Sequence, residues 1–127
     1  MSQSQNPLLI AIDDQKFYLD EIAYELRGRD VDYRPFEGPS SFEELVATID
    51  VNRAKLILVD YDFQTCTVMD CDLVGYIKEK YPDFTGKIVL LSLLDDFLSD
   101  NEAVNRNFDG IINKSDLTWD RIRQYLN

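Results

Sequence analysis

One hundred and twenty-seven residues make one ordinary domain, and a chain of that length buries roughly two-thirds of its unfolded surface without a disulfide or metal staple. Its 24 acidic residues against 13 basic ones give a formal net charge of −11, which argues against nucleic acid and anionic membrane as partners, since Lys and Arg hold both. At 45% apolar and 12% aromatic residues the chain can pack a core, so disorder is excluded as well.

Residues 1–7 read as a short disordered lead-in, polar and uncharged, unlike a signal peptide, and residues 8–127 as one domain. Leu8 to Ile12 is a continuous apolar run, the pattern of a strand covered on both faces. Leu19, Ile22, Ala23 and Leu26 follow at helical spacing, and the helix ends near Gly28. Val31 to Phe36 is a weaker strand, which Pro35 assigns to a sheet edge or a strand end. Ser41 and Glu44 form a capping pair that opens a helix carrying Phe42, Leu45, Val46 and Ile49.

Leu56 to Val59 is the next buried strand, stopped by Asp60. A polar stretch from Tyr61 to Asp70 leads to a helix with Leu73, Tyr76, Ile77 and Lys80 at helical spacing, halted before Pro82. Ile88 to Leu91 forms another buried strand ending at Ser92, and Ser99 with Glu102 caps a shorter helix with Gly110 past its end. Ile111-Ile112 is a short strand running into Lys114, and the last helix carries Trp119, Ile122 and Leu126. Five strands alternating with five helices predict an α/β fold, an open parallel sheet covered on both faces.

Such sheets bind at the carboxyl ends of their strands. Asp13-Asp14, Asp60, Ser92 and Asn113-Lys114 stand at those ends. Two carboxylates about 4 Å apart repel by about 4 kcal/mol at an effective dielectric near 20, so three together shift their pKa values or hold a cation. Oxygen donors alone select a hard ion, Mg²⁺, with Mn²⁺ able to substitute. A carboxylate beside such an ion can attack phosphorus, while Lys114 and the Ser92 hydroxyl take the remaining oxygens. The absence of histidine removes the commonest general base and any internal phosphohistidine.

In these residues the chain resembles the receiver domains of two-component response regulators, over about residues 8 to 126. The resemblance rests on Asp13-Asp14, on Leu-Ile-Leu-Val-Asp60, on Leu-Leu-Ser92 and on Asp-Gly-Ile-Ile-Asn-Lys114. It implies a flavodoxin-like (βα)5 sandwich with strand order 2-1-3-4-5. It implies Asp60 as phosphoacceptor, Asp14 as a direct Mg²⁺ ligand, Asp13 as a ligand largely through water, and the Asp62 backbone carbonyl as a further ligand. Ser92 and Lys114 would bind the phosphoryl group. A histidine kinase or histidine phosphotransfer protein would donate it in the cytoplasm. A downstream protein would read the face of the fourth helix, fifth strand and fifth helix.

Departures from that pattern fall on the output side. Ser115 replaces the family's proline after the lysine, so the cis bond there is not expected. Ile111 replaces a switching aromatic, bulky Leu93 follows Ser92 and narrows access to Asp60, and the loop after Asp60 carries an insertion. Two other readings use the same residues: a pseudo-receiver serving as a constitutive binding module, and an aspartate-nucleophile phosphohydrolase built on Asp60-Tyr61-Asp62, which Gln64 does not fit. Cys66 and Cys71 lack C-x-x-C spacing and read as inert thiols, Tyr18, Tyr24 and Phe42 as packing aromatics, and Asp95, Asp96 and Asp100 as a solvated helix start.

Overall fold

The computed structural model describes residues 6–37, 53–60, 73–93 and 108–126. Five strands, β1 (Leu8–Asp13), β2 (Asp32–Glu37), β3 (Ala54–Asp60), β4 (Lys87–Ser92) and β5 (Gly110–Asn113), form one sheet in the order β2-β1-β3-β4-β5. All four pairings are parallel. Three helices are described: α1 (Lys16–Leu26), α2 (Leu73–Lys80) and α3 (Trp119–Arg123). The helices expected after Ser41 and Ser99, together with Phe42, Cys66, Cys71, Asp95, Asp96 and Asp100, lie outside the described residues.

Strand alternation sorts the core into two layers. Leu8, Ile10, Ile12, Ile57, Val59, Ile88 and Leu90 pack with Val74 and Ile77 of α2 on one face. Leu9, Ala11, Leu56, Leu58, Val89, Leu91 and Ile112 pack with Leu19, Ile22 and Leu26 of α1 and Ile122 of α3 on the other. Both faces are therefore covered, which is why the strands read as unbroken apolar runs. Each fully buried Leu or Ile contributes about 1.5–3 kcal/mol by leaving water.

Three details depart from the sequence expectation. Ala23 is exposed, because it sits on the flank of the stripe that Leu19, Ile22 and Leu26 complete. Val74, not Lys80, joins Ile77 as a buried contact of α2. Tyr24 is 63% exposed with the Arg27 guanidinium 4.7 Å over its ring, so it is a surface residue and not a packing one. The edge position of Pro35 is as expected: β2 is the outermost strand, and its outer side needs no backbone donor.

Helix α1 is tied down at both ends of the molecule's α1 face. The Tyr33 hydroxyl on β2 donates to the Leu19 carbonyl at 2.9 Å, and burial pushes that hydroxyl's pKa up. The Glu25 carboxylate accepts from the Trp119 backbone N–H at 2.7 Å, which satisfies a free donor at the start of α3. Gly28, at φ +78°, then turns the chain out of α1 in a conformation that suits glycine.

Gly86, just before β4, is required by close approach. A Cβ there would lie 2.5 Å from the Ala54 carbonyl oxygen and 2.8 Å from the Phe84 ring. Backbone cannot yield as a flexible side chain can, so Gly86→Ala is expected to cost about 1–3 kcal/mol, the usual range for overpacking. A urea midpoint equal to that of the unmodified chain would contradict this contact.

Candidate functional site

Every apolar run in the sheet centre ends in a polar residue at the same rim. Asp13 closes β1, Asp60 closes β3, Ser92 closes β4, and Lys114 opens a 3₁₀ turn (Lys114–Asp116) straight after β5. All four are buried, with Asp13 fully inaccessible. Alternation explains who meets whom. Asp13 continues the parity of Leu9 and Ala11, Asp60 that of Leu56 and Leu58, and Lys114 that of Ile112, so all three belong to the α1 side of the sheet. Ser92 continues the parity of Ile88 and Leu90 instead.

The Lys114 ammonium bridges the two acids. Its Nζ lies 2.7 Å from Asp60 Oδ1 and 2.9 Å from Asp13 Oδ2. A third contact comes from α1, whose Tyr18 ring centroid is 4.3 Å from the same nitrogen. Asp13 Oδ2 is buried and, beyond the Lys114 ammonium, meets no polar partner among the described residues. The other oxygen, Oδ1, accepts from the Gln15 backbone N–H at 2.8 Å.

The charges respond accordingly. Burial pushes the Asp13 carboxyl above its ordinary range, Asp14 adds repulsion, and the Lys114 and Gln15 contacts offset only part of the rise. Burial alone would lower the Lys114 ammonium, but its contacts with Asp60 and Asp13 outweigh that and raise it. The lysine is therefore firmly charged at neutral pH, whereas burial works against the charge on Asp13.

Asp14, half-buried, completes an acidic group: one carboxylate oxygen from each of Asp13, Asp14 and Asp60 lies within 4.8 Å of the others. Among the described residues, three carboxylates against one ammonium leave two negative charges, with Asp13 and Asp60 both buried. A buried carboxylate oxygen held by the lysine alone, and a group of three acids that offers only oxygen donors among the described residues, fit a hard divalent cation. The predicted site residues Asp13, Asp14, Asp60 and Lys114 are thus brought together, and Ser92 stands at the adjacent strand end. Asp62 lies outside the described residues.

The residues after Lys114 take a conformation of their own. Asn113 Oδ1 accepts from both the Ser115 backbone N–H (2.8 Å) and the Ser115 hydroxyl (2.6 Å), and no cis peptide bond occurs among the described residues. Ile111 is partly buried against the α2-side core, and Leu93 is 58% exposed at the rim. Sequence reasoning placed Tyr18 among the packing aromatics and missed its contact with the lysine. The available signal was that Tyr18 lies five residues after Asp13, on the first turn of α1, over the rim.

No family model matches the chain, and no curated protein matches it. Solved structures do. The chain is similar to the response regulator TrrA from Thermotoga maritima in complex with Mg²⁺-BeF, at 19% identity and TM-score 0.69, over 93% of this chain and 94% of that one. It is similar to the receiver domain of the Francisella response regulator 1452, at 18% identity and TM-score 0.71, covering 96% and 94%. It is also similar to the RcsB response regulator of Salmonella typhimurium, at 20% identity and TM-score 0.68, covering 94% of this chain but 57% of that one. The five-stranded parallel sheet in the order 2-1-3-4-5 is thus the flavodoxin-like fold of receiver domains. No helix among the described residues is long and apolar enough to cross a membrane.

Removing the bridging cation leaves two buried carboxylates face to face. Lys114→Met is expected to destabilise the protein by about 3–5 kcal/mol near neutral pH, the scale of breaking a buried ion pair from one side. A carboxyl whose folded pKa is raised carries its cost above that pKa and loses it as pH falls through it. The variant's deficit should therefore shrink in mildly acidic buffer as Asp13 takes up a proton. Urea unfolding at several pH values checks this; a pH-independent deficit would contradict the ion bridge.

Proposed function

We propose that the protein is a phosphoacceptor switch of a two-component phosphorelay, with Asp60 as the residue that is phosphorylated. The observation that carries this reading is the rim itself: a buried acid cluster two charges short of neutrality, bridged by one lysine, on the fold of receiver domains.

Asp13, Asp14 and Asp60 would hold Mg²⁺, with the Asp62 backbone carbonyl as a further ligand, and Mn²⁺ would substitute. The ion supplies charge neutralisation for the attacking and transferred oxygens. Asp60 then serves as the nucleophile. A carboxylate oxygen bonds to phosphorus as the bond from phosphorus to the donor's imidazole nitrogen breaks, giving an acyl phosphate and a free histidine on the donor. Lys114, already 2.7 Å from Asp60, is positioned to take a phosphoryl oxygen, and Ser92 offers a hydroxyl from the next strand end.

The chain contains no histidine, so the phosphohistidine belongs to another protein, a histidine kinase or a histidine phosphotransfer protein. Output passes to a downstream protein through the face of the fourth helix, fifth strand and fifth helix in sequence order. With Ile111 half-packed against the core and Asn113 holding Ser115, that output does not use an aromatic beside the lysine or a prolyl turn after it. The reaction is the protein's own modification and not turnover of a substrate, and the setting is the cytoplasm.

Incubation with Mg²⁺ and acetyl phosphate should add one phosphoryl group, seen by intact mass, and Asp60→Asn should abolish it. Asp14→Asn should weaken Mg²⁺ binding by more than the roughly tenfold expected for loss of an outer-shell partner. Mg²⁺ binding without modification would favour the constitutive binding module. Rapid multiple turnover of phosphate esters would favour the hydrolase.

A further inference from the structure

We propose that Tyr18 is a positioning residue for Lys114, its ring face keeping the ammonium beside Asp60 once the carboxylates turn to a divalent cation or a phosphoryl group. The proposal rests on the phosphoacceptor reading above, and it concerns a residue on α1 outside the acid cluster. An ammonium has three N–H directions. Here two contacts go to Asp60 and Asp13, at 2.7 and 2.9 Å, and the third neighbour is the Tyr18 ring, 4.3 Å to its centroid. Lys114 is only 6% exposed, so bulk water is poorly placed to serve in the ring's stead.

The three partners are not equivalent. Asp13 and Asp60 are also members of the metal-holding group, and any divalent cation competes with Lys114 for their oxygens. The ring competes with nothing: a neutral π face attracts an ammonium but does not bind Mg²⁺ in preference to carboxylates. When the acids are engaged elsewhere, the lysine keeps only the ring of these three contacts. With the ring it stays over the rim, where the transferred oxygens arrive. A leucine or methionine would fill the same half-buried space on the α1-side core without that attraction.

The ring is itself held. Tyr18 sits in the first turn of α1, its backbone N–H bonded to the Gln15 carbonyl, and the Phe17 ring meets it edge-on at 5.2 Å between centroids. The next residue, Leu19, is buried in the sheet core and accepts from Tyr33 through its carbonyl. The position of the π face relative to Lys114 is therefore set by the packing of α1.

The test uses the full chain with Tyr18→Phe, Tyr18→Leu, and Tyr18 replaced by phenylalanines carrying increasing numbers of ring fluorines, which preserve shape while draining the negative face. In metal-free protein, the Lys114 ε-methylene and ammonium resonances should show an upfield ring-current shift that survives in Tyr18→Phe and disappears in Tyr18→Leu. At saturating Mg²⁺, phosphorylation by acetyl phosphate should be within about twofold of the unmodified rate for Tyr18→Phe, and about fivefold slower for Tyr18→Leu, the scale of one half-buried cation–π contact. The fluorinated series should slow step by step. Fluorinated rings at full rate would overturn the proposal, because a packing role depends on shape and not on ring charge; an unshifted lysine would overturn it as well. If the unmodified protein takes up no phosphoryl group at all, the phosphoacceptor reading fails, and the positioning role falls with it.

Discussion

The rim of this sheet depends on one cation reaching across two strands. Asp13 and Asp60 end adjacent strands with the same parity, so the fold forces both carboxylates into one dry space. Unscreened by a cation, such a pair repels by about 4 kcal/mol even at a generous effective dielectric. The strand that supplies relief is not a neighbour. In the order β1-β3-β4-β5, Lys114 follows a strand two positions from β3, and strands are about 4.8 Å apart. The reach from β5 past β4 is therefore roughly 10 Å at the level of the backbone, which selects a long side chain with its charge at the tip.

That arrangement is stable without being satisfied. Among the described residues one ammonium bridges two of three carboxylates, which leaves two negative charges without a cation. The raised pKa of the Asp13 carboxyl expresses the same deficit, since burial opposes its charge more strongly than the lysine supports it. A pocket in this condition gains from a second cation and from any chemistry that adds positive charge beside Asp60. Replacing the acids by apolar residues would relieve the strain on folding, and the retained cost points to use of the site.

Much of this was legible in the residues. Strands covered on both faces read as apolar runs, and an aspartate that cuts such a run short must stand at the sheet's rim, so Asp13, Asp60, Ser92 and Lys114 were found by position alone. Parity, which is also in the sequence, sorts Asp13, Asp60 and Lys114 onto the α1 side and Ser92 onto the other. What periodicity could not supply was register between strands, and hence which acids the lysine meets. It also misjudged the flanks of helices. Ala23 sits at the margin of its stripe and Tyr24 faces solvent, whereas Tyr18 packs on the α1-side core as its spacing implies and also meets the lysine. Gly110 opens β5 where a Cβ would meet the Tyr125 side chain, a contact made only in three dimensions.

Helix α1 connects both sides of the charge bridge. Its first turn begins three residues after Asp13, and Glu25 near its end caps α3, which begins five residues after Lys114. Leu19, Ile22 and Leu26 seat the helix on the sheet, and Tyr33 anchors it to the edge strand. A shift of α1 along its axis would thus move the Asp13 loop, the Tyr18 ring and the turn carrying Lys114 together. Asp13 and Lys114 come from strands three positions apart in the sheet, with β3 and β4 between them, but the same helix contacts the segment that carries each. The strands fix where each chain ends at the rim, and α1 adds the Tyr18 ring beside Lys114 and the Glu25 carboxylate on the backbone that follows it.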